Sequence, residues 1–341
     1  KVSSGCQGGI LKIATFLHND GTPRLGAVDT SRSTITDLAL AAEIRAPEAM
    51  GYMRDALALI DGGEEALRMA RALEAAAPEE ALVPLASARL LAPLPVPRSI
   101  RDCLVFEQHL INYNAQRAKE TGQEPATISP DWYKRPFYYK GNRFSVVGTE
   151  ADIVWPDYSN NIDFELEIAC IIGRKGSDIR PEDALAHIFG FTIFNDFSAR
   201  DTQAVEKRMG MGSSKAKDFD TGNAIGPWIV TTDEIGDPHR LRMEARINGE
   251  RWGGGNTSEM YHSFRDMISF ISRSETLHPG ELIGSGTVGT GCGIELGRSL
   301  SPGDTVELEI EKIGILRNRI TRRHSGSGSA APGTPEPHRN R

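Results

Sequence analysis

Residues 160–173 read NNIDFELEIACIIG. Strand side chains repeat with period two, so Phe164, Leu166, Ile168, Cys170 and Ile172 share one face while Asp163, Glu165 and Glu167 share the other. The first face demands a core. The second carries three carboxylates in succession, which repel one another and are costly to bury unpaired. Two arrangements satisfy it: that face meets water, or something positive sits on it. The chain must therefore build a β-rich structure around a strand with an unusual charge on one side.

The 341 residues are 39% hydrophobic and 25% charged, a soluble globular profile with room for two domains, or for one large domain with an appendage. A net charge of −7 argues against a nucleic-acid partner, whose phosphates need a basic surface. No apolar run approaches the roughly 18–20 residues of a membrane span, so no membrane partner is expected. The first stretch, KVSSGCQGGILKIATF, lacks a signal-peptide apolar region. Cys6, Cys103, Cys170 and Cys292 form no C-x-x-C pair and read as reduced thiols of a cytoplasmic protein.

Residues 11–30 read as a hairpin, two alternating apolar runs around Asn19-Asp20-Gly21-Thr22-Pro23. Residues 64–77, EEALRMARALEAAA, are an amphipathic helix. The proline-marked LPVPRSI at 94–100 sets a boundary: a small N-terminal α/β domain at 1–98 and a second domain at 99–320. Beyond it short strands dominate. Pro181 opens a helix PEDALAHIF that Gly190 closes, and EMYHSFRDMISFIS forms another with Met260, Phe264, Met267 and Ile271 on one stripe. Residues 303–320 form a strand pair, and 321–341, rich in Gly, Ser and Pro, a disordered tail.

Glu165 and Glu167 could hold a hard cation, but two ligands are too few; the plain alternative is a wet sheet face. Asp196 ends the apolar strand Phe191–Phe194, placed either for a site or as a helix N-cap. Arg200 and Gln203 follow within two helical turns and suit a carboxylate or carbonyl, or surface pairs. RDCLVFEQH supplies Asp102 and His109; alone, that histidine reads as structural. KAKDFDTGNAIGPW carries Lys217 and Thr221 in a glycine-containing loop, where a lysine is ordinarily solvated. GSGTVGTGCGIELGR contains G-x-G-x-x-G, but Thr290-Gly291-Cys292-Gly293 opens a helix poorly, so a loop pressed against a ligand fits better than a dinucleotide site. Glu295, between Ile294 and Leu296, needs a partner if buried.

Taken together, DFELEIACIIG, NDFSARDTQ, KAKDFDTGNAIGPWIVT and GSGTVGTGCGIELG, in this order after RDCLVFEQH, resemble the fumarylacetoacetate hydrolase family over about residues 101–315. The resemblance implies an α+β, β-rich fold, a mixed β-sheet roll with flanking helices, usually dimeric. It implies metal ligands at Asp102, Glu165, Glu167 and Asp196, with Lys217 and Thr221 as auxiliary metal-site positions. The four acids are hard oxygen donors, favouring Mg²⁺ or Mn²⁺ ahead of Ca²⁺, and all of these over zinc. His109 matches the general base and Glu295 the acid that orients it; Lys217 would stabilise developing enolate charge. Arg200, Gln203 and Thr287 match substrate contacts, and Phe137-Tyr138-Tyr139-Lys140 resembles a region beside the pocket that would add Lys140.

The implied reaction is metal-dependent hydrolysis of a carbon–carbon bond in a small 1,3-diketo acid. The alternative is decarboxylation, isomerisation or hydration of 2-oxo or 2-hydroxydienoic acids on the same site. The partner is thus a small keto or diketo acid, and a homodimer is expected. Leu104 and Lys207 stand where the fumarylacetoacetate-cleaving member has tyrosines, which puts that particular substrate in doubt. The polar stretch 110–135 reads equally as a lid or as an exposed insertion, and Asp163 has no assignment.

Overall fold

In the computed structural model, residues 11–210 and 212–322 are described. The expected hairpin forms, β1 (Lys12–Leu17) pairing antiparallel with Pro23–Asp29. Asp20 closes the turn by accepting the Thr22 amide at 2.8 Å. Helix α1 (Gly63–Ala75) buries Ala66, Ala70 and Leu73, a stripe of spacing four and three, against the core that holds Ile13 and Leu25.

The main sheet continues in β2 (Ile100–Cys103), β3 (Tyr138–Gly141), β4 (Leu166–Ile172), β5 (Ile188–Asp196), β6 (Asn223–Thr231) and β7 (Leu282–Gly284). Among the described residues it has twelve strands, in the order 82–84, 34–37, 23–29, β1, β6, β5, β4, β7, β2, β3, with 89–90 and 146–147 pairing at β1 and β6. Most neighbours run antiparallel, while β7 and β2 run parallel, so the sheet is mixed. The sheet crosses the proline-marked junction: Ile13 of β1 sits opposite Ile229 of β6. A second sheet of five strands, in the order 250–256, 242–247, 305–310, 314–322, 152–155, packs Met243, Ala245, Val306 and Leu308 against one face of the first.

Strand β4 lies at the centre and is buried on both faces. Leu166, Ile168, Cys170 and Ile172 enter the core shared with the second sheet; Ala169 and Ile171 enter the core shared with the N-terminal helices. The carboxylate face therefore does not meet water. Glu167 is 0% exposed and Glu165 5%.

Three local expectations change. Where a helix is expected over 181–189, residues 181–187 form turns and one 3-10 turn, Ala184–His187, before Ile188 enters β5. Gly190 does not stop a helix: it lies inside β5, where a Cβ would meet Val230 O at 2.4 Å, so the residue serves close strand approach. The helix expected over 259–272 is α4 (Phe264–Ile271), shortened because Ser263 and Asp266 form a capping box that fixes its start; Met260 stands outside it. The last strand runs through Arg322, two residues into the expected tail, and the remainder of that tail lies outside the described residues, as does Cys6. Within 110–135, helix α2 (Glu107–Thr121) is followed by a mostly exposed return that Trp132 anchors by donating to Leu104 O at 2.7 Å.

Candidate metal centre

Four acids reach one point from three strands of the main sheet, with β7 lying between β4 and β2. Asp102 comes from β2, Glu167 from the start of β4 with Glu165 just before it, and Asp196 from the end of β5. One carboxylate oxygen from each lies within 4.8 Å of the others, and all four residues are buried. The loop after β7 closes the group: the Gly286 amide donates to Asp102 Oδ1 and Glu167 Oε2, at 3.1 Å each. Gly286 has φ +78°, and a Cβ there would meet Cys103 O at 2.4 Å, so the glycine is what lets this amide approach.

Two cations answer the charge. Lys217 Nζ sits 2.5 Å from Glu165 Oε2 and also contacts Asp196 Oδ2, which accepts from the Tyr139 hydroxyl as well. Arg200, at the start of α3 (Arg200–Arg208), meets Glu165 Oε1 at 2.7 Å. Burial opposes charge on Glu165, but Lys217 and then Arg200 outweigh it and hold that carboxyl well below its usual range. Burial likewise opposes the Lys217 ammonium, and Asp196 and Glu165 reverse it. The other acids stay short of compensation. Burial pushes Asp102 up to about 6 and Asp196 up to about 8, and burial with the adjoining Asp102 charge raises Glu167 well above the carboxylate range. Glu167 Oε1 and Asp196 Oδ1 are buried with no hydrogen-bond partner. Orphaned carboxylate oxygens, in an all-oxygen set with too little positive charge, fit a hard divalent cation held by Asp102, Glu165, Glu167 and Asp196.

Beside this group, α2 presents His109 and the one-turn helix α5 (Gly293–Leu296) presents Glu295. His109 Nδ1 and Glu295 Oε1 are 2.7 Å apart. Glu295 also accepts from Asn112 Nδ2 and the Thr290 amide, at 2.8 Å each, and from the Cys292 thiol at 3.1 Å. The sequence gives no hint of α5 because its start is stabilised from a distance. Asp163 accepts the Gly293 and Ile294 amides at 2.8 and 3.0 Å and pairs with Arg200 at 2.8 Å. The unassigned acid thus links the turn that carries Glu295 to Arg200, which itself pairs with Glu165.

His109, Arg200, Gln203, Lys217 and Thr287 all line one cavity of about 200 Å³ with Asp102, Glu165 and Glu167. Two expected residues are not brought in. Lys140 is exposed and pairs with Glu275 at 3.5 Å, because the two-residue period of β3 turns Tyr139 inward instead. Thr221 is outside the acid cluster, its hydroxyl accepting the Val154 amide at 2.9 Å, where it fastens strand 152–155. Sequence reasoning does not single out Tyr113 and Tyr139, which line the cavity, or Asn112, which donates to Glu295; the i, i+3 spacing of His109 and Asn112 on one helix is the available signal for Asn112. A larger groove of about 780 Å³ runs past Leu90, Val147, Pro227 and Trp228, and its wall carries no cluster of acids or histidines.

The family profile "Fumarylacetoacetate (FAA) hydrolase C-terminal" matches residues 105–321. The chain is 39% identical over 188 residues to the human mitochondrial oxaloacetate tautomerase FAHD2A, a match covering 55% of this chain and 59% of that protein. It is 31% identical over 315 residues to the mitochondrial oxaloacetate tautomerase fahd2 of Xenopus laevis, covering 91% of this chain and 90% of that protein. Among solved structures, the fumarylacetoacetate hydrolase of Exiguobacterium antarcticum superposes with a TM-score of 0.72 at 28% identity, covering 92% of this chain and all of that one. With the acid cluster and sheet order in place, these matches make the chain a member of the fumarylacetoacetate hydrolase family.

Proposed function

We propose that the protein moves a proton at the carbon between two carbonyl groups of a small 2-oxo dicarboxylic acid, with keto–enol tautomerisation of oxaloacetate as the representative reaction. The observation that carries this reading is that His109, paired with Glu295, lines the same cavity as Asp102, Glu165 and Glu167 of the acid cluster. The names of the two tautomerase relatives support the choice of acid.

Glu295 holds a proton on Nδ1 of His109, which leaves Nε2 as the basic nitrogen. Nε2 takes the proton from the carbon; the C–H electron pair forms the carbon–carbon double bond, and the carbonyl electrons move to oxygen. Returning that proton to the oxygen completes the enol, and the reverse order makes the ketone. Lys217 lines the cavity with its charge kept by Asp196 and Glu165, facing the oxygen on which negative charge grows. Mg²⁺ or Mn²⁺ held by Asp102, Glu165, Glu167 and Asp196 would supply Lewis acidity toward a keto oxygen.

Hydrolysis of a 1,3-diketo acid is the second reading, and one observation favours it: a carboxylate-oriented histidine is equally the arrangement that deprotonates water. The products separate the two. With Mn²⁺-loaded protein, faster decay of the enol absorbance of oxaloacetate, without fragments, supports tautomerisation. Two acid fragments from an acylpyruvate, with no effect on oxaloacetate, would replace it by hydrolysis, and release of carbon dioxide would replace it by decarboxylation. Assembly as a homodimer belongs to the same proposal and is checked by mass in solution.

A further inference from the structure

Three lysine and arginine side chains line the cavity, and two are already engaged. Arg200 is held by Asp163 and Glu165, and Lys217 by Glu165 and Asp196. Lys207, on the last turn of α3, forms no ion pair among the described residues. Its ammonium instead lies 4.5 Å from the centre of the Tyr113 ring, which belongs to the facing helix α2. An aromatic face orients a cation without neutralising it.

The bland reading is a solvated lysine on a helix end, and the residue as a whole is indeed exposed. Two features weigh against it. The ammonium lies over the ring of Tyr113, and both residues line the cavity. Loss of water around the ammonium and then the charge of Arg200 bring it down to about 8; Glu165 opposes them, and Lys217 and Arg117 add to the lowering. A cation so placed gains most from an anion arriving in the cavity. Leu104, which also lines the cavity, offers no competing hydrogen bond from its side chain.

We propose that Lys207, steadied by Tyr113, receives the distal carboxylate of a dicarboxylic 2-oxo acid and so selects dicarboxylic over monocarboxylic substrates. This rests on the functional reading above for which end of the substrate faces the acid cluster.

The test is equilibrium binding to Mn²⁺-loaded protein, read by calorimetry, with freshly dissolved oxaloacetate and with pyruvate, which lacks the second carboxylate. The wild-type chain is expected to bind oxaloacetate about 10- to 100-fold more tightly, the range of one charged hydrogen-bonded pair. Lys207→Met, which keeps the stem, should abolish that preference and leave pyruvate binding within about twofold; Lys207→Arg should retain most of it. Lys207→Gln repeats the test should the methionine variant fail to fold. A preference that survives in Lys207→Met or Lys207→Gln, or that is absent from the wild type, overturns the proposal. Because the binding constant does not depend on turnover, a preference that is lost with Lys207 in a protein showing no tautomerisation would sink the reaction and leave the anion site standing.

Discussion

Glu295 has no oxygen to spare: Oε1 takes His109 and Cys292, and Oε2 takes Asn112 and the Thr290 amide. Four contacts hold such a carboxylate in place, and in the proposed reaction its work is to fix which nitrogen of His109 is basic. Glu295→Gln keeps the shape, removes the charge and places an amide donor among donors. Turnover of the Mn²⁺-loaded enzyme should fall about 10²- to 10⁴-fold, with Mn²⁺ affinity and melting temperature nearly unchanged. Unaltered turnover would remove His109 from the chemistry. At this scale the sequence was readable wherever a motif named the residue, as for Asp102, Glu165, Glu167, Asp196, His109 and Glu295, which the structure brings together. It was unreadable where only orientation decides. Tyr139 and Lys140 are neighbours, and nothing local says which faces inward until β3 is paired with β2.

Elements were legible in proportion to their length and to how locally their ends are fixed. Helix α1 and the first hairpin announce themselves through periodicity and turn residues. The α5 turn does not, because its cap, Asp163, lies 130 residues away from Gly293 along the chain. Gly190 misled for a similar reason, since what it accommodates is the backbone of β6. The loop after β7 supplies the amide that ties Asp102 to Glu167 in the proposed metal site. Gly286→Ala must either pull the residue out of its positive φ or press a methyl group onto Cys103 O. Either way its amide leaves Asp102 and Glu167. Mn²⁺ affinity should drop about 10- to 100-fold, as when an outer hydrogen bond to metal ligands is lost, while the far-ultraviolet circular dichroism stays native. Wild-type affinity in this variant would show that the loop does not organise the acids.

At the scale of the whole molecule, the sheet joins what the proline-rich junction divides. Removing residues before 99 would uncover the β6 edge and the Ile225 and Ile229 side chains that pack with the N-terminal helices. The remaining chain is expected to aggregate on expression; a folded, monodisperse product would establish an autonomous domain. The same sheet buries four acids at its centre, which links stability to pH and metal. In the metal-free fold Asp102 and Asp196 keep protons up to about 6 and about 8, whereas the unfolded chain releases them near 3.8. The folded state therefore binds more protons through this interval, and stability falls as pH rises. Glu165, held low in the fold, adds no slope there because it is ionised in both states above its unfolded value. The melting temperature of chelator-treated protein should thus decline steadily from about pH 5 to about pH 8.5. A bound cation replaces those protons and favours the ionised acids, so its stabilisation should grow over the same range and flatten the profile. Parallel melting curves with Mn²⁺ and with chelator, at each pH, decide the matter. If the two profiles run parallel, the acid cluster is not where the cation binds.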